Sequence, residues 1–411
     1  MRKLTTLLAI LLVIMSSTPV SCKRASQEGT RTSLNNSDFS SMLCDRSAIR
    51  LGSVCARSEK GLYFTEKMSE NTVFSRMMYY DFESGTCGPL CGKAECTHDS
   101  EDCNAVFPWD IRAFAYYDGH LYYDLVNRSD KNPAPGRVIC CCDETGENRR
   151  KIGTAAGGAL QRSTGNAQGI FHLGKAIYSG TYEEIKNGVP HQGVTIASYD
   201  LKNAKDEIIL YEQEFTAANV SGDIRMQAVL DKLYFMVISA EYKADGQRPD
   251  EYLLELYSLG IENGKTERLY SGTVDFYASE FWVIENGWLI SSGADGRVYY
   301  FDQQNGSLNL WTDIGEYGPY SHAAFSEGIV FAFHPDDQNT SMCVLDFTSK
   351  MLLNDTHQRE GYENLRQILC SDQDWLYVKY FRFDGLSKET VEAIDLHSGK
   401  RIVLWTDDTV E

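Results

Sequence analysis

Five residues that can bind a metal or form disulfides lie within one short stretch of the chain. Cys87, Cys91, Cys96, His98 and Cys103 fall within 17 residues, far above chance. Thiolates and an imidazole at this density can complete a tetrahedral Zn²⁺ site and order a loop with almost no apolar residues. In an exported protein the same four cysteines can instead form two local disulfides, with His98 a bystander. The spacing does not follow the paired C-x₂-C zinc pattern, so both interpretations stay open. In both of them the role is structural.

Seven further residues are candidates for ligand binding, because they fall in long polar segments between predicted strands. The segments are Asn127–Arg137, Tyr182–Gly193, Glu241–Tyr252, His334–Ser341 and Arg382–Thr390. The candidate residues are Tyr182, Tyr242, His334, Asp336, Asp337, Arg382 and Phe383. Loops on one rim of a rigid scaffold commonly carry binding residues, and these segments would share a rim in the fold predicted below.

The sequence carries none of the common enzyme motifs that can be recognised by spacing. A G-x-S-x-G elbow, a P-loop, an H-E-x-x-H helix and the sialidase Asp-box are all missing from it. No catalytic residue is therefore predicted. A pair of carboxylates of the glycosidase type remains an alternative, because the separation of two acids in space cannot be read from a sequence.

The remaining cysteines are predicted to be mostly core residues. Strand alternation places Cys140 and Cys142 on one face and Cys141 on the other, so one of them can reach the Cys/His stretch. Cys44 and Cys55 flank the first predicted strand and are a possible pair. Single buried thiols are expected at the two late positions, Cys343 and Cys370.

A repeat of four short strands organises the chain from about residue 60 to its C-terminus. The second strands begin at Leu62–Phe64, Leu121–Tyr123, Ala176–Tyr178, Leu233–Phe235, Trp288–Ile290, Ile329–Phe331 and Leu376–Val378. Tight-turn pairs such as Asp118-Gly119 precede most of them, and an Asp-led turn such as Asp395–Gly399 ends most third strands. Successive copies lie 41 to 59 residues apart, which is typical of propeller blades. We predict an all-β fold with a single propeller of seven four-stranded blades over residues 48–411, closed by an early strand near Ala48–Ala56 that pairs with the last blade.

The N-terminus predicts export and attachment to a membrane. Arg2 and Lys3 precede an apolar run, Leu7–Met15, that is too short for a stable transmembrane helix, and small residues lead to Cys22. This arrangement resembles the lipobox of bacterial lipoproteins, although Pro19 stands where an aliphatic residue is usual. Residues 1–22 are predicted to be a signal with Cys22 lipidated, and residues 23–47 a flexible polar tether. The net charge of −19 argues against a nucleic-acid partner.

Some of the repeat strings point to a family. Leu62–Glu66 and the Leu-Trp-Thr-Asp strings at Leu310–Asp313 and Leu404–Asp407 resemble the propeller repeats of low-density-lipoprotein-receptor-related proteins. The layout resembles bacterial lipoproteins of unknown function that carry such a receptor-like propeller. The resemblance implies a binding or scaffolding module on the cell envelope, anchored only by its N-terminal lipid, with an extracellular protein or glycan as partner. A propeller enzyme acting on extracellular glycans, of the hydrolase or lyase kind, is the alternative.

Overall fold

The protein is an all-β ring of seven blades. The computed structural model describes residues 48–50, 55–67, 74–100, 102–108, 111–129, 132–155, 168–186, 189–202, 207–215, 220–242, 249–293, 295–315, 321–324, 328–336, 339–357, 364–372, 374–383 and 387–407. Cys22, the predicted lipidation site, and Cys44, the possible partner of Cys55, lie outside these residues. Among the described residues, no helix has the length and apolar character needed to cross a membrane.

Thirty strands make up the described part of the chain, and the first four blades take the first eighteen of them. Blade 1 contains β2 (Cys55–Arg57), β3 (Gly61–Lys67), β4 (Phe74–Asp81) and β5 (Cys87–Pro89), with β6 (Val106–Pro108) also paired to β4. Blade 2 contains β7 (Ile111–Tyr117), β8 (His120–Ser129), β9 (Asn132–Asp143) and β10 (Arg150–Ala155). Blade 3 contains β11 (Gln168–His172), β12 (Lys175–Lys186), β13 (Val189–Asp200) and β14 (Ile208–Phe215), with β1 (Ala48–Arg50) as a fifth strand. Blade 4 contains β15 (Val220–Val229), β16 (Lys232–Glu241), β17 (Tyr252–Gly260) and β18 (Thr266–Val274).

The last three blades follow the same order. Blade 5 contains β19 (Ala278–Ile284), β20 (Gly287–Ser292), β21 (Arg297–Asp302) and β22 (Ser307–Asp313). Blade 6 contains β23 (Ser321–Ala324), β24 (Gly328–Asp336), β25 (Asn339–Asp346) and β26 (Met351–His357). Blade 7 contains β27 (Asn364–Ser371), β28 (Trp375–Phe383), β29 (Ser387–Asp395) and β30 (Arg401–Thr406). The predicted seven blades are confirmed, and all seven predicted second-strand starts lie in the second strand of a blade.

Turn chemistry explains why the repeat folds as it does. Asp118 and Gly119 join β7 to β8 with φ values of 47° and 76°, the doubly left-handed backbone of a type I′ hairpin turn. At the end of β29, Asp395 accepts backbone hydrogen bonds from His397 and Ser398, and Gly399 turns back at φ 69°. A carboxylate that caps a turn in this way satisfies amide groups that the strand ladder leaves without partners.

The core is divided among the seven junctions between neighbouring blades. Each junction has its own cluster of buried side chains, and the cluster at the last junction joins blade 7 to blade 1 through Phe64, Leu369 and Tyr377. The alternation predicted for the three consecutive cysteines is confirmed: Cys140 and Cys142 face blade 1, whereas Cys141 faces blade 3. The first strands of neighbouring blades surround the central axis: β2 contacts β7 and β27, β15 contacts β11 and β19, and β23 contacts β27. Between blades 2 and 3, β1 contacts β7.

The predicted closure strand was wrong. β2 pairs with β3 inside blade 1, and β1 pairs antiparallel with β11 of blade 3, so neither strand joins the sheet of blade 7. Each blade is built around four strands that are consecutive in sequence. Ring closure consequently depends on side chains packed between two complete sheets rather than on a shared strand.

Candidate functional site

The outer strand of blade 1 is split in two, and the Cys/His stretch loops out between its halves. β5 pairs with Met78–Tyr80 and β6 with Phe74–Arg76. At the neck of the loop, the amide of Leu90 donates to the Met77 carbonyl at 2.8 Å and the Met77 amide donates to the Ala105 carbonyl at 2.7 Å. The backbone of Met77 on β4 therefore binds both ends of the loop.

Four predicted ligands meet just outside this neck. The donor atoms of Cys91, Cys96, His98 and Cys103, called the Cys/His quartet below, all lie within 4.8 Å of one another. Nδ1 of His98 lies 3.3 Å from Sγ of Cys103. Tetrahedral coordination with Zn–S bonds of ~2.3 Å puts ligand atoms roughly 3.8 Å apart, so small adjustments would close the site around one ion. The quartet can hold a metal.

Backbone amides support thiolate charge in the quartet. The Ala105 amide donates to Sγ of Cys103 at 3.3 Å. Burial raises the pKa of Cys91, but hydrogen bonds from the Lys93 amide, the neighbouring thiols and the Asn104 amide outweigh it and leave the pKa lowered. The more deeply buried Cys103 has a pKa raised to about 11 by burial. A bound cation would remove that difference, because it favours the thiolate of every ligand.

Cys87, the fifth predicted member, is not part of the quartet. It lies on β5 and packs toward blade 7, against the cluster that contains Phe64 and Tyr377. Burial raises its pKa to about 12. The ten described cysteines are thiols in the structure. Two local disulfides would require Cys87 to pair with a member of the quartet, from which it is separated. The three sulfurs and one imidazole of the quartet can bind a metal without Cys87, so the geometry favours a metal site over two disulfides.

Blade 2 supports the loop from its other side. Arg149 donates to the Val106 carbonyl at 2.7 Å and to the carbonyls of Cys103 and Asn104, and its guanidinium lies 4.0 Å from the centre of the Phe107 ring. Gly146 has φ +80°, and a Cβ there would come within 2.6 Å of the Asn104 carbonyl. The quartet is thus part of a packed junction between two blades.

A second group of polar residues surrounds a cavity at the rim where second strands end and first strands begin. The cavity, called the tyrosine cavity below, has a volume of about 220 Å³. Its lining comprises Thr181, Ser221, Gly222, Asp223, Ile238, Ser239, Ala240, Tyr242, Tyr252 and Tyr277. The rings of Tyr252 and Tyr277 meet edge to face with centroids 5.7 Å apart, and Tyr242 is 43% exposed. Aromatic faces and hydrogen-bonding groups thus converge on one concave surface.

Charged groups on the first strands fix the floor of the tyrosine cavity. Arg225 donates to Oδ1 of Asp223 at 2.6 Å and to the Ser279 carbonyl at 3.1 Å. Tyr277 donates to Oδ2 of Asp223 at 2.8 Å. Burial disfavours the charge on Arg225, but the carboxylates of Asp223 and Glu280 outweigh it and raise its pKa. Burial and the Asp223 charge both raise the pKa of Tyr277. Tyr277 therefore stays a neutral donor.

The same network reaches blade 6. Nε2 of His322 on β23 lies 3.5 Å from a carboxylate oxygen of Glu280 on β19, and the His322 ring stands edge-on to Trp282 at 5.1 Å. Asp223 and Glu280 are 7% and 6% exposed. Two buried carboxylates, a guanidinium and an imidazole therefore lie along the first strands of three successive blades.

Of the two candidates for ligand binding whose side chains the structure describes, Tyr182 and Tyr242, the second lines the tyrosine cavity and the first does not. Tyr182 lies on β12 opposite Gly193 and is fully buried, because Thr181 and Tyr182 point to opposite faces of the strand. His334 and Asp336 are on β24, and Arg382 and Phe383 end β28. Asp337 lies outside the described residues.

Several segments predicted to be loops are longer hairpins. Tyr182–Gly193 continues β12 to Lys186 and begins β13 at Val189, and most of Asn127–Arg137 belongs to β8 and β9. When the strands extend, their backbone N–H and C=O groups hydrogen-bond to each other, whereas in a loop the same groups would bond to water. Sequence reasoning missed Asp223, Arg225, Tyr277, Glu280 and His322. The sequence did contain one indication of this site: Asp223 and Arg225 are charged residues two positions apart within an otherwise largely apolar strand.

The comparisons with known proteins identify the fold. No protein-family model and no curated protein matches the chain. Among solved structures, it is similar to the β-propeller domain of the Trilobed protease from Pyrococcus furiosus, with a TM-score of 0.54 and 12% identity over 88% of this chain and 100% of that one. It is also similar to Pyrococcus horikoshii acylaminoacyl peptidase (TM-score 0.53, 11% identity, 90% of this chain and 53% of that chain) and to a puromycin hydrolase (0.55, 10%, 91% and 56%). The chain spans just over half the length of those two enzymes.

At these identities the likeness shows the propeller fold alone. The Trilobed protease domain is described as having an open velcro topology. In the present ring, blades 1 and 7 share no strand in the described part of the chain.

Proposed function

We propose that this protein is a binding module of the cell envelope, anchored by a lipid on Cys22, whose tyrosine cavity takes a carbohydrate ligand. The observation that carries the proposal is the lining of that cavity. Sugars combine apolar C–H faces with hydroxyl edges, and tyrosine combines an apolar ring with a hydroxyl group. Tyr242, Tyr252 and Tyr277 supply the rings, and Asp223 and Ser239 supply polar groups at fixed places.

The size and charge of the site narrow the ligand. A cavity of about 220 Å³ is smaller than pockets that enclose drug-sized molecules, so it suits one unit of a longer glycan. The net charge of −19 disfavours polyanionic ligands, which leaves neutral or basic glycans. Asp223 is already held by Arg225 and Tyr277, so it needs no rearrangement to accept a hydrogen bond from a sugar hydroxyl.

A glycan array probed with the full mature chain tests the proposal. We expect binding to a neutral glycan that weakens at least ~10-fold in Tyr242→Ala. Tyr300→Phe is the matched control, because that tyrosine lies on β21 and donates to the Asn286 carbonyl away from the cavity. Unchanged binding in Tyr242→Ala, or a protein as the sole ligand retained from the cell envelope, would contradict it.

A propeller glycosidase is the second candidate, and the two buried carboxylates favour it. Hydrolysis of a glycosidic bond commonly uses two carboxyl groups, one as acid and one as base or nucleophile. Asp223 and Glu280 both interact with Arg225, and His322 faces Glu280. If the array ligand is also cleaved, with release of reducing ends that is lost in both Asp223→Asn and Glu280→Gln, the protein is an enzyme. Binding without cleavage supports the module.

The Cys/His quartet is proposed to hold a structural zinc ion. Cys91, Cys96, His98 and Cys103 would fill all four positions, and no open position would remain for substrate. Its role would be to fix the loop that covers the edge of blade 1.

Membrane attachment is tested separately from ligand binding. Fractionation of cells that express Cys22→Ala should move the protein from the membrane to the soluble fraction. Equal membrane retention of the variant would contradict lipidation.

A further inference from the structure

The junction between blades 7 and 1 must be held without a shared strand. Nη2 of Arg57 on β2 lies 2.8 Å from a carboxylate oxygen of Asp372, directly after β27, with both side chains 12% exposed. Tyr377 donates to the same carboxylate at 3.0 Å, and Arg57 also lies over the Phe82 ring. The contact between Arg57 and Asp372 joins residues that are 315 positions apart in the sequence.

Two cysteines lie two residues before Arg57 and Asp372 on the same two segments of the chain. Cys55 stands two residues before Arg57, and Cys370 stands two residues before Asp372. Side chains two apart on extended chain share a face, and β2 and β27, as first strands of their blades, run the same way along the axis. Cys55 therefore faces Cys370 as Arg57 faces Asp372. Both thiols pack in the cluster of the last junction, and they hydrogen-bond to each other.

We propose that Cys55 and Cys370 form a disulfide that covalently closes the propeller ring. The oxidant would be a low-molecular-weight or protein disulfide. The Cys370 thiolate attacks one sulfur of that disulfide and displaces one thiol. The Cys55 thiolate then attacks the Cys370 sulfur of the mixed disulfide and displaces the second. The two protein thiols are oxidised by two electrons, the external disulfide is reduced to two thiols, and two protons pass to the products.

The burial of Cys55 indicates that the disulfide forms during folding, as blade 7 packs against blade 1. Burial, together with the neighbouring Cys370 thiol, raises the pKa of Cys55 well above its usual value. In the unfolded chain burial no longer raises the pKa of Cys55, so exchange is fastest before the junction is complete. Once the blades have packed, the bond is shielded from reductants.

Cys87 provides a matched control. Its side chain packs against the same core cluster, but it lies on β5, the outermost strand of blade 1. With strands ~4.8 Å apart, β5 is roughly 14 Å from β2, far beyond the Cα separation of ~7 Å that a disulfide tolerates.

The experiment oxidises the full mature chain with oxidised glutathione, once folded and once during refolding, then alkylates free thiols in denaturant and maps peptides by mass spectrometry. We expect a linked peptide pair containing Cys55 and Cys370. It should be absent from Cys55→Ser and Cys370→Ser and present in Cys87→Ser. The oxidised protein should melt ~5–10 °C above the reduced protein, a gap that Cys370→Ser removes.

Peptide mapping of the unaltered chain does not depend on whether a variant folds. Recovery of Cys55 and Cys370 as separately alkylated peptides after both treatments would overturn the proposal, as would linkage of either residue to another cysteine.

Discussion

The Cys/His quartet and the tyrosine cavity arrange polar side chains in opposite ways. The quartet draws four potential ligands from thirteen consecutive residues of one loop, and these would fill all four positions around a bound metal. The tyrosine cavity draws its lining from blades 3, 4 and 5, over residues from Thr181 to Tyr277, and it opens to solvent. The quartet is therefore a local cluster within one loop, whereas the tyrosine cavity is assembled from distant parts of the chain.

The physical reason lies in what each region lacks. The loop of the quartet has few buried apolar residues, mainly Leu90, Ala105 and Val106 at its neck, so packing alone offers it little stability. The strands beside the tyrosine cavity belong to two apolar clusters, so their packing already stabilises them and they can accommodate buried charges. Asp223, Arg225 and Glu280 are tolerated there because each has a partner of opposite charge.

The largest expected effect comes from removing a quartet ligand. Cys103→Ser should lower the zinc content from about one ion per chain to near zero and cost on the order of 5 kcal/mol of unfolding free energy, because binding energy at a structural site is folding energy. Metal analysis and urea unfolding measure both quantities. Cys87→Ser should keep its zinc. Full zinc content in Cys103→Ser would show that the quartet is not the metal site.

A charge removed from the floor of the tyrosine cavity should have the next largest effect. Arg225→Met leaves Asp223 and Glu280 buried without their cation and should cost about 3–5 kcal/mol of unfolding free energy. The control is Lys60→Met, because Lys60 pairs with Glu144 where their side chains are 70% and 38% exposed, and surface pairs contribute little. Equal losses in the two variants, measured by urea unfolding, would mean that the network is not specifically stabilising.

The hydroxyl of Tyr277 tests the network more gently. Tyr277→Phe removes one hydrogen bond to a buried carboxylate and should cost about 1–2 kcal/mol, while zinc content stays unchanged. Calorimetry and metal analysis on one preparation check both expectations. A change in metal content would mean that the two regions are coupled.

The smallest effect concerns the turn that abuts the quartet. Asp143 accepts hydrogen bonds from Thr145, Glu147 and Asn148, and these outweigh burial to lower its pKa below 3.8. Because the folded pKa is depressed, the stability it contributes is present above pH ~4 and is lost as pH falls through the folded value. Asp143→Asn should cost under ~1 kcal/mol at pH 7, since the group is largely solvated, and less as the pH is lowered toward 2.

Urea unfolding at the two pH values measures that difference. Glu262→Gln, in the turn after β17, is the control with no expected change. A loss that persists at pH 2 would assign the effect to packing of the turn rather than to the carboxylate charge.

Local chemistry allowed the sequence alone to determine the blades. Strand alternation, Asp-Gly hairpins and Asp-led turns act within a few residues, so Leu62–Phe64 and its six counterparts could all be assigned to second strands. Four of the five residues in the Cys/His stretch could be grouped for the same reason, since a short loop keeps its ligands together whatever the rest of the chain does. The sequence could not show that Cys87 lies apart from the other four, because this depends on which face of β5 its side chain occupies.

Only the tertiary structure decided which distant residues meet. Asp223, Tyr277, Glu280 and His322 come together because first strands of successive blades lie side by side around the axis, a relation that leaves no mark on local spacing. The same holds for Cys55, which the sequence offered as a possible partner of Cys44, and for Cys370, which it predicted to be a single buried thiol. Both belong to the cluster that forms where the ring brings blade 7 against blade 1. Short-range patterns specify each sheet, but the curvature that closes seven sheets into a ring sets the long-range contacts.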